Sequence, residues 1–284
     1  MCYIIGKLLV WTCFMFNFSE FINDTPIDSI LLFIITFSLL IISAYIGKFI
    51  FKRKKLNDDI ADDEAKIILG AILSLLGLLI GFVLSISISG YNNRQQTEEN
   101  EAIAIGNAYQ RAQLLNSSDR REAIHLLQQY LEARIEFFKS GVSDENNQWR
   151  RVSLEKQATL WEIAVKEANQ SPNPVIASVL TAFSDLYLSQ QKTMASWRHQ
   201  IPNAAWFLLI FFAICSNVLI GYNIRGTKGK NWLILILPSL TTLALFMIAE
   251  IDIPGEGVIH VTPDDLISLQ EFLFKEGALV GKLD

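Results

Sequence analysis

"GAILSLLGLLIGFVLSISISGYNNRQQTEENEAIAIGNAY", residues 70–109, joins two kinds of sequence without a seam. From Gly70 to Gly90 it carries no charge. Beyond that point Arg94, Glu98, Glu99 and Glu101 make it polar, and by composition it reads as wet. No proline interrupts it, so nothing in the chain stops one helix from running through both halves. A membrane span would then continue straight into a polar helix. The junction decides whether the fold frames a passage or only holds a helical domain at a bilayer.

The bulk properties agree with a membrane setting. Of 284 residues 51% are hydrophobic and 19% charged, and the apolar ones are clustered. Runs of about twenty apolar residues are long enough to cross the hydrocarbon core as helix. The net charge of −5 gives no basic surface for nucleic acid. Cys2, Cys13 and Cys215 all lie in apolar segments, so no disulfide framework is expected in the polar region.

Four spans are predicted: 30–51, 67–89, 204–224 and 232–249. Lys48 can snorkel from near the end of the first. Pro202 suits the first turn of the third. Pro238 is read as a kink inside the fourth, and Trp206 and Trp232 as interfacial aromatics. In hydrocarbon every backbone amide must be paired, which favours helix in all four. Residues 1–29 open on "MCYIIGKLLVWTCFMFNF", which is apolar but short and interrupted by Lys7. They read as an interfacial segment, or as sequence ahead of a true start at Met15.

Between the second and third spans, residues 91–202 form a polar helical domain. Ser118 is read as an N-cap and Gly141 as a stop, with Ile124, Leu127, Leu131, Ile135 and Phe138 as the buried stripe. A second helix covers roughly 148–169, with Trp161, Val165 and Ala168 inward. A third covers about 174–199, with Val179, Phe183, Leu186 and Tyr187 inward. The continuation of the second span supplies the fourth. The expected fold is all-α: a membrane hairpin at 30–90, a bundle at 91–202, a second hairpin at 203–250, and a tail at 251–284 with a short helix.

Chemical sites are scarce. His125, His199 and His260 lack ligand spacing to one another or to cysteine, so no metal is expected. No phosphate loop and no nucleophile elbow occur. No catalytic residue and no cofactor are therefore assigned, and the chain is not read as an enzyme. Carboxylates are missing from mid-membrane, with Glu250 and Asp252 only at an edge, which argues against a proton-driven motor subunit.

Two rows mark the second span. Gly70, Ser74, Gly77, Gly81, Ser85 and Ser89 form one drifting stripe of small side chains. Its first meaning is close helix packing, with Gly77-x-x-x-Gly81 the familiar spacing. Leu78, Phe82 and Ile86 lie beside it, four apart. Such a row more often faces lipid or core, but in an oligomer it can ring an axis as an apolar gate.

"GFVLSISISGYNNR" and "EENEAIAIGNAYQRAQLL", with "KRKK" after the first span and "AEIDIPGEGVIHV" after the fourth, resemble the bestrophin-like integral membrane family from about residue 28 onward. That family is catalogued mainly as a domain of unknown function. The resemblance extends distantly to the bestrophins, pentameric ion channels whose second helix lines the pore and continues into a polar domain. It implies a homo-oligomer, a pentamer by analogy, in the lipid bilayer. It also implies a neck at Leu78, Phe82 and Ile86 ahead of Arg94, with ions as the cargo. Gln95 and Gln96 stand where bestrophins have tryptophans. The calcium-binding acidic run is not reproduced, since Asp252, Glu256, Asp264 and Asp265 are scattered. Asp264 and Asp265 read instead as the start of the last helix, after Thr262 and Pro263. The alternative to a channel is a non-conducting scaffold or sensor presenting the bundle to a protein partner.

Orientation draws two opposed expectations. Lys48, Lys52, Arg53, Lys54 and Lys55 follow the first span, and Arg225, Lys228 and Lys230 the third. Short basic loops stay inside, so both hairpins are expected in the cytoplasm, and the bundle and C-terminus outside a cell membrane. The bestrophin resemblance implies the reverse, and the charge argument is preferred because both loops agree.

Overall fold

The computed structural model describes residues 29–52, 59–141, 143–224, 231–255 and 259–276. The interfacial segment before them, the basic residues Arg53, Lys54, Lys55, Arg225, Lys228 and Lys230, and Glu256 lie outside the described residues. The helices are α1 (Ser29–Lys52), α2 (Asp59–Ala112), α3 (Ser117–Lys139), α4 (Asp144–Gln170), α5 (Pro174–Arg198), α6 (Asn203–Asn223), α7 (Ile236–Asp252) and α8 (Asp264–Gln270). A 3-10 turn, Asn231–Leu235, precedes α7, and a π turn, Glu271–Glu276, follows α8. No strand occurs among the described residues.

The chain divides into two compact units. One combines the described residues up to Ile88 with Ile201–Asp252; the other combines Ser89–Gln200 with those from Ile253 onward. α2 contributes to both, as the unbroken helix that residues 70–109 predict.

In the first unit, Leu40, Leu76, Val83, Leu209, Leu245 and Ile248 form the core. Many other large apolar side chains face out, among them Ile34, Phe49, Ile67 and Leu240. That arrangement suits a unit solvated by hydrocarbon. Ile30–Phe49, Glu64–Ala112 and Pro174–Asn223 contain stretches long and apolar enough to cross a membrane. α7 has 17 residues. Pro238 is its third residue, and the 3-10 turn runs directly into the helix ahead of it.

α1 and α6 cross at backbone contact. A Cβ on Gly221 would overlap the Ala44 carbonyl oxygen and stand 3.0 Å from the Lys48 nitrogen. One on Gly47 would overlap the Val218 carbonyl oxygen. Glycine is required at both because the helices leave no room for a side chain. Toward the other end, Phe33 meets Phe246 edge-on at 5.5 Å. There also the Ser87 hydroxyl donates to the Ile248 carbonyl at 3.1 Å, and the Ile201 amide donates to Asp252 at 3.0 Å. Lys52 and Ile224, where the chain leaves α1 and α6, thus lie at the end of the Gly47–Gly221 crossing.

In the second unit, Ile105, Ala108, Leu127, Tyr130, Leu131, Phe137, Phe138, Leu160, Val179 and Leu186 form the core. Asn116, not Ser118, caps α3: its side-chain oxygen accepts from the amides of Ser118 and Asp119 at 3.2 and 3.0 Å. Ser140 ends that helix and Gly141 follows at φ 61°, a left-handed exit that suits glycine. α4 begins at Asp144, capped by Ser143. Its buried positions are Ser153, Gln157, Leu160, Ile163 and Ala164. Trp161, expected inward, is exposed, since one residue along a helix is about 100° of rotation. Tyr187 on α5 is exposed for the same reason, next to buried Leu186. α8 begins at Asp264 as expected, and Leu266 is buried in this core.

Candidate functional site

α2 shows two unlike sides in the first unit. Leu76, Val83 and Ser87 are buried. On the opposite side Leu78 is 69% exposed, Phe82 64% and Ile86 38%. Gly70, Ser74, Gly77, Gly81, Ser85 and Ser89 are exposed as well. Nothing lies within 4 Å of where a Cβ would stand at Gly70, Gly77 or Gly81. The close packing inside the chain belongs to Gly47 and Gly221 instead, which the sequence reading missed. Their signal is the small-residue spacing Ser43-x-x-x-Gly47 and Ala213-x-x-x-Asn217-x-x-x-Gly221 in the first and third spans.

Arg94 does not share the exposed side. Positions four apart drift by about 40° per step, so the row from Leu78 through Phe82 and Ile86 has turned far round by Arg94. Arg94 is 2% exposed, with Nη1 3.7 Å from where a Cβ on Gly90 would stand. The structure thus brings Leu78, Phe82 and Ile86 to one side of α2 and not Arg94.

The polar half of α2 is not uniformly wet. Glu98 and Glu101 are buried with Arg94, and only Glu99 is exposed. Residues 94, 98, 101, 105, 108 and 112 alternate by four and three on one core-facing stripe. Charge alone pointed to solvent, while periodicity pointed inward.

Glu101 pairs with Arg134 of α3, and both side chains are fully buried. Arg134 Nη2 donates to Glu101 Oε2 at 3.1 Å, and its Nε donates to Oε1. The Tyr130 and Thr193 hydroxyls donate to the same carboxylate at 3.1 and 2.7 Å. Gln157 Nε2 donates to Tyr130 Oη at 3.1 Å and to the Leu186 carbonyl at 3.2 Å. Burial works against charge on Arg134, but the Glu101 carboxylate holds its pKa above the ordinary value. Burial pushes the Tyr130 phenol up.

Glu98 serves a separate contact. It accepts the Leu266 amide at 3.0 Å and so caps α8, whose own Pro263 offers no side-chain cap. Burial, opposed by that hydrogen bond and reinforced by Asp265 and Glu101, pushes its pKa to about 8.

No group of metal-ligating side chains occurs among the described residues. A shallow groove of about 350 Å³ runs along α4 and α5, lined by Leu154, Gln157, Trp161, Phe183 and Tyr187. The arrangement offers fixed dipoles, a buried ion pair and an uncovered apolar helix side.

A family model described as a Bestrophin-like domain matches residues 33–266. A variant of a bacterial bestrophin homolog from Klebsiella pneumoniae aligns at 12% identity, TM-score 0.59, over 87% of this chain and 97% of that one. A second variant aligns at 12% identity, TM-score 0.57, over 88% and 98%. A structure described as a membrane protein aligns at 11% identity, TM-score 0.59, over 89% and 98%. At such identities the likeness is one of fold. No curated protein matches this chain in sequence.

Proposed function

The chain belongs to the bestrophin-like family, and from that premise we propose that it is a homo-oligomeric ion channel whose passage is lined by α2. Leu78, Phe82 and Ile86 form an apolar constriction, and the small residues beside them let copies of α2 approach one another. The observation that carries this reading is the uncovered side of α2. Its apolar row and its small-residue stripe both point away from the packed face of their own chain. Small side chains facing lipid pack poorly, and a second copy would cover them. The family makes a pentamer the expected assembly.

α7 with its 3-10 turn is the fourth span in this reading. Lys52 and Ile224 lie at one end of the first unit, which supports placing both basic loops on one side, and their lysines and arginines make that side the cytoplasmic one. The bundle and C-terminus are then outside. Flux of small ions into liposomes tests conduction: Phe82→Ala widens the constriction and raises flux, and a clean monomer in native detergent micelles would refute the channel. The second reading, a non-conducting scaffold or sensor, draws on the aromatic groove at Trp161 and Tyr187, a surface suited to a protein partner. Folded, oligomeric, electrically silent wild-type and Phe82→Ala proteins would favour it.

A further inference from the structure

The side of α2 that looks out of the helical unit has a chemistry of its own. Between Ser89 and Gln110 its exposed positions are Asn or Gln everywhere except Ser89, Glu99 and Ile103. The exposed sides of its neighbours are charged, as at Arg121, Glu122 and Glu132 on α3 and Arg151, Glu155 and Glu162 on α4. A solvated helix face has no reason to avoid Lys and Glu, which favour helix more than Asn does. Ser89, Asn93, Gln96, Asn100, Ile103 and Asn107 also alternate by four and three, the spacing of a helix that meets other helices along a seam. Glu99, the one acid, is about 100° round the helix from Asn100.

We infer that this row is a neutral carboxamide wall, at which copies of this chain face one another around a common axis. The inference rests on α2 facing such an axis, as proposed above, and adds the chemistry an ion meets beyond the constriction. Two arguments select a second copy as the occupant. Any charge on an axial face is repeated by every copy, and the repeats repel; neutral side chains avoid that cost. Asn and Gln also both donate and accept, so they complement their own symmetry mates, which a Lys or Glu row does not. A small inorganic ion meets N–H and C=O dipoles here and no fixed charge, so this stretch does not select the sign of the ion.

The test uses the full chain in liposomes, with the native cysteines replaced by serine. Single cysteines are placed at Phe82, Asn100 and Glu132 and treated with a short bismaleimide. Phe82→Cys and Asn100→Cys form cross-linked dimers, while Glu132→Cys on the charged face of α3 stays a monomer band. Cross-linking at Phe82→Cys with none at Asn100→Cys beyond the Glu132→Cys level overturns the wall and leaves the pore standing. Cross-linking at neither position overturns both. Under a salt gradient, Asn100→Asp shifts the reversal potential toward cation preference, and Asn100→Gln leaves it at the wild-type value. An unshifted potential in Asn100→Asp, with assembly intact, overturns the contact between wall and ion.

Discussion

Glu101 and Arg134 form an ion pair with no exposure on either side chain, in the middle of the helical unit. Removing one partner strands a buried charge, at a cost of about 3–5 kcal/mol. Glu101→Ala and Arg134→Ala therefore each lower the chemical-denaturation midpoint of the helical unit sharply. The double variant Glu101→Met with Arg134→Met loses less than the sum, because it leaves no orphan charge. Additive losses would show that the pair is not coupled.

Gly221 and Gly77 predict opposite behaviour in one assay. Gly221 has no room for a Cβ against Ala44 and Lys48, whereas Gly77 has open space. Gly221→Ala overpacks the α1–α6 crossing and costs about 1–3 kcal/mol, read as a fall in thermal midpoint in detergent. Gly77→Ala leaves the midpoint of a monomer unchanged and weakens only the assembly, read by native mass. A midpoint equally sensitive to both would place the span-two glycines in packing within one chain.

Glu98 makes the attachment of α8 depend on pH. Its pKa is about 8 when buried against Leu266 and near the ordinary carboxyl value when unfolded. The folded state thus binds the proton more tightly. Its stabilising share is complete below the unfolded pKa and is lost as pH rises through about 8. Hydrogen exchange over residues 264–270, corrected for intrinsic rates, should quicken between about pH 6 and about pH 9 in the wild type, either side of the folded pKa. Glu98→Gln, which stays neutral, should remove the change. An equal acceleration in the variant would assign the effect to another group.

The contrast between these sites shows what the sequence carried and what it hid. Helices and their breaks were legible because hydropathy and proline act locally: Pro174 begins α5 behind Asn173, and residues 70–109 are one helix. The burial of Glu98 and Glu101 was hidden because a carboxylate normally marks solvent, and its partner Arg134 lies on another helix. Trp161 and Tyr187 were misplaced by one residue each, since size was weighed above register. The Gly47–Gly221 crossing was overshadowed by the more regular glycine row in the second span. Of the proposed neck, Leu78, Phe82 and Ile86 share a side as their spacing required, and Arg94 does not because steps of four drift round the helix.

Orientation is open to impermeant thiol labelling. With native cysteines replaced, Gln128→Cys on the exposed side of α3 should label in intact cells, and Thr227→Cys in the second basic loop should not. The reverse pattern would put the helical unit in the cytoplasm and show that loop charge does not set this topology.

Passage of ions along the uncovered side of α2 is open to thiol block of Phe82→Cys in proteoliposomes. The native cysteines are replaced, ion flux is recorded, and a bulky water-soluble thiol reagent is added until mass spectrometry shows complete modification. Flux should be present before labelling and fall to background after it, while the same reagent on Glu132→Cys should leave flux unchanged. Undiminished flux through fully modified Phe82→Cys protein, or no flux of any small ion before labelling, would contradict it.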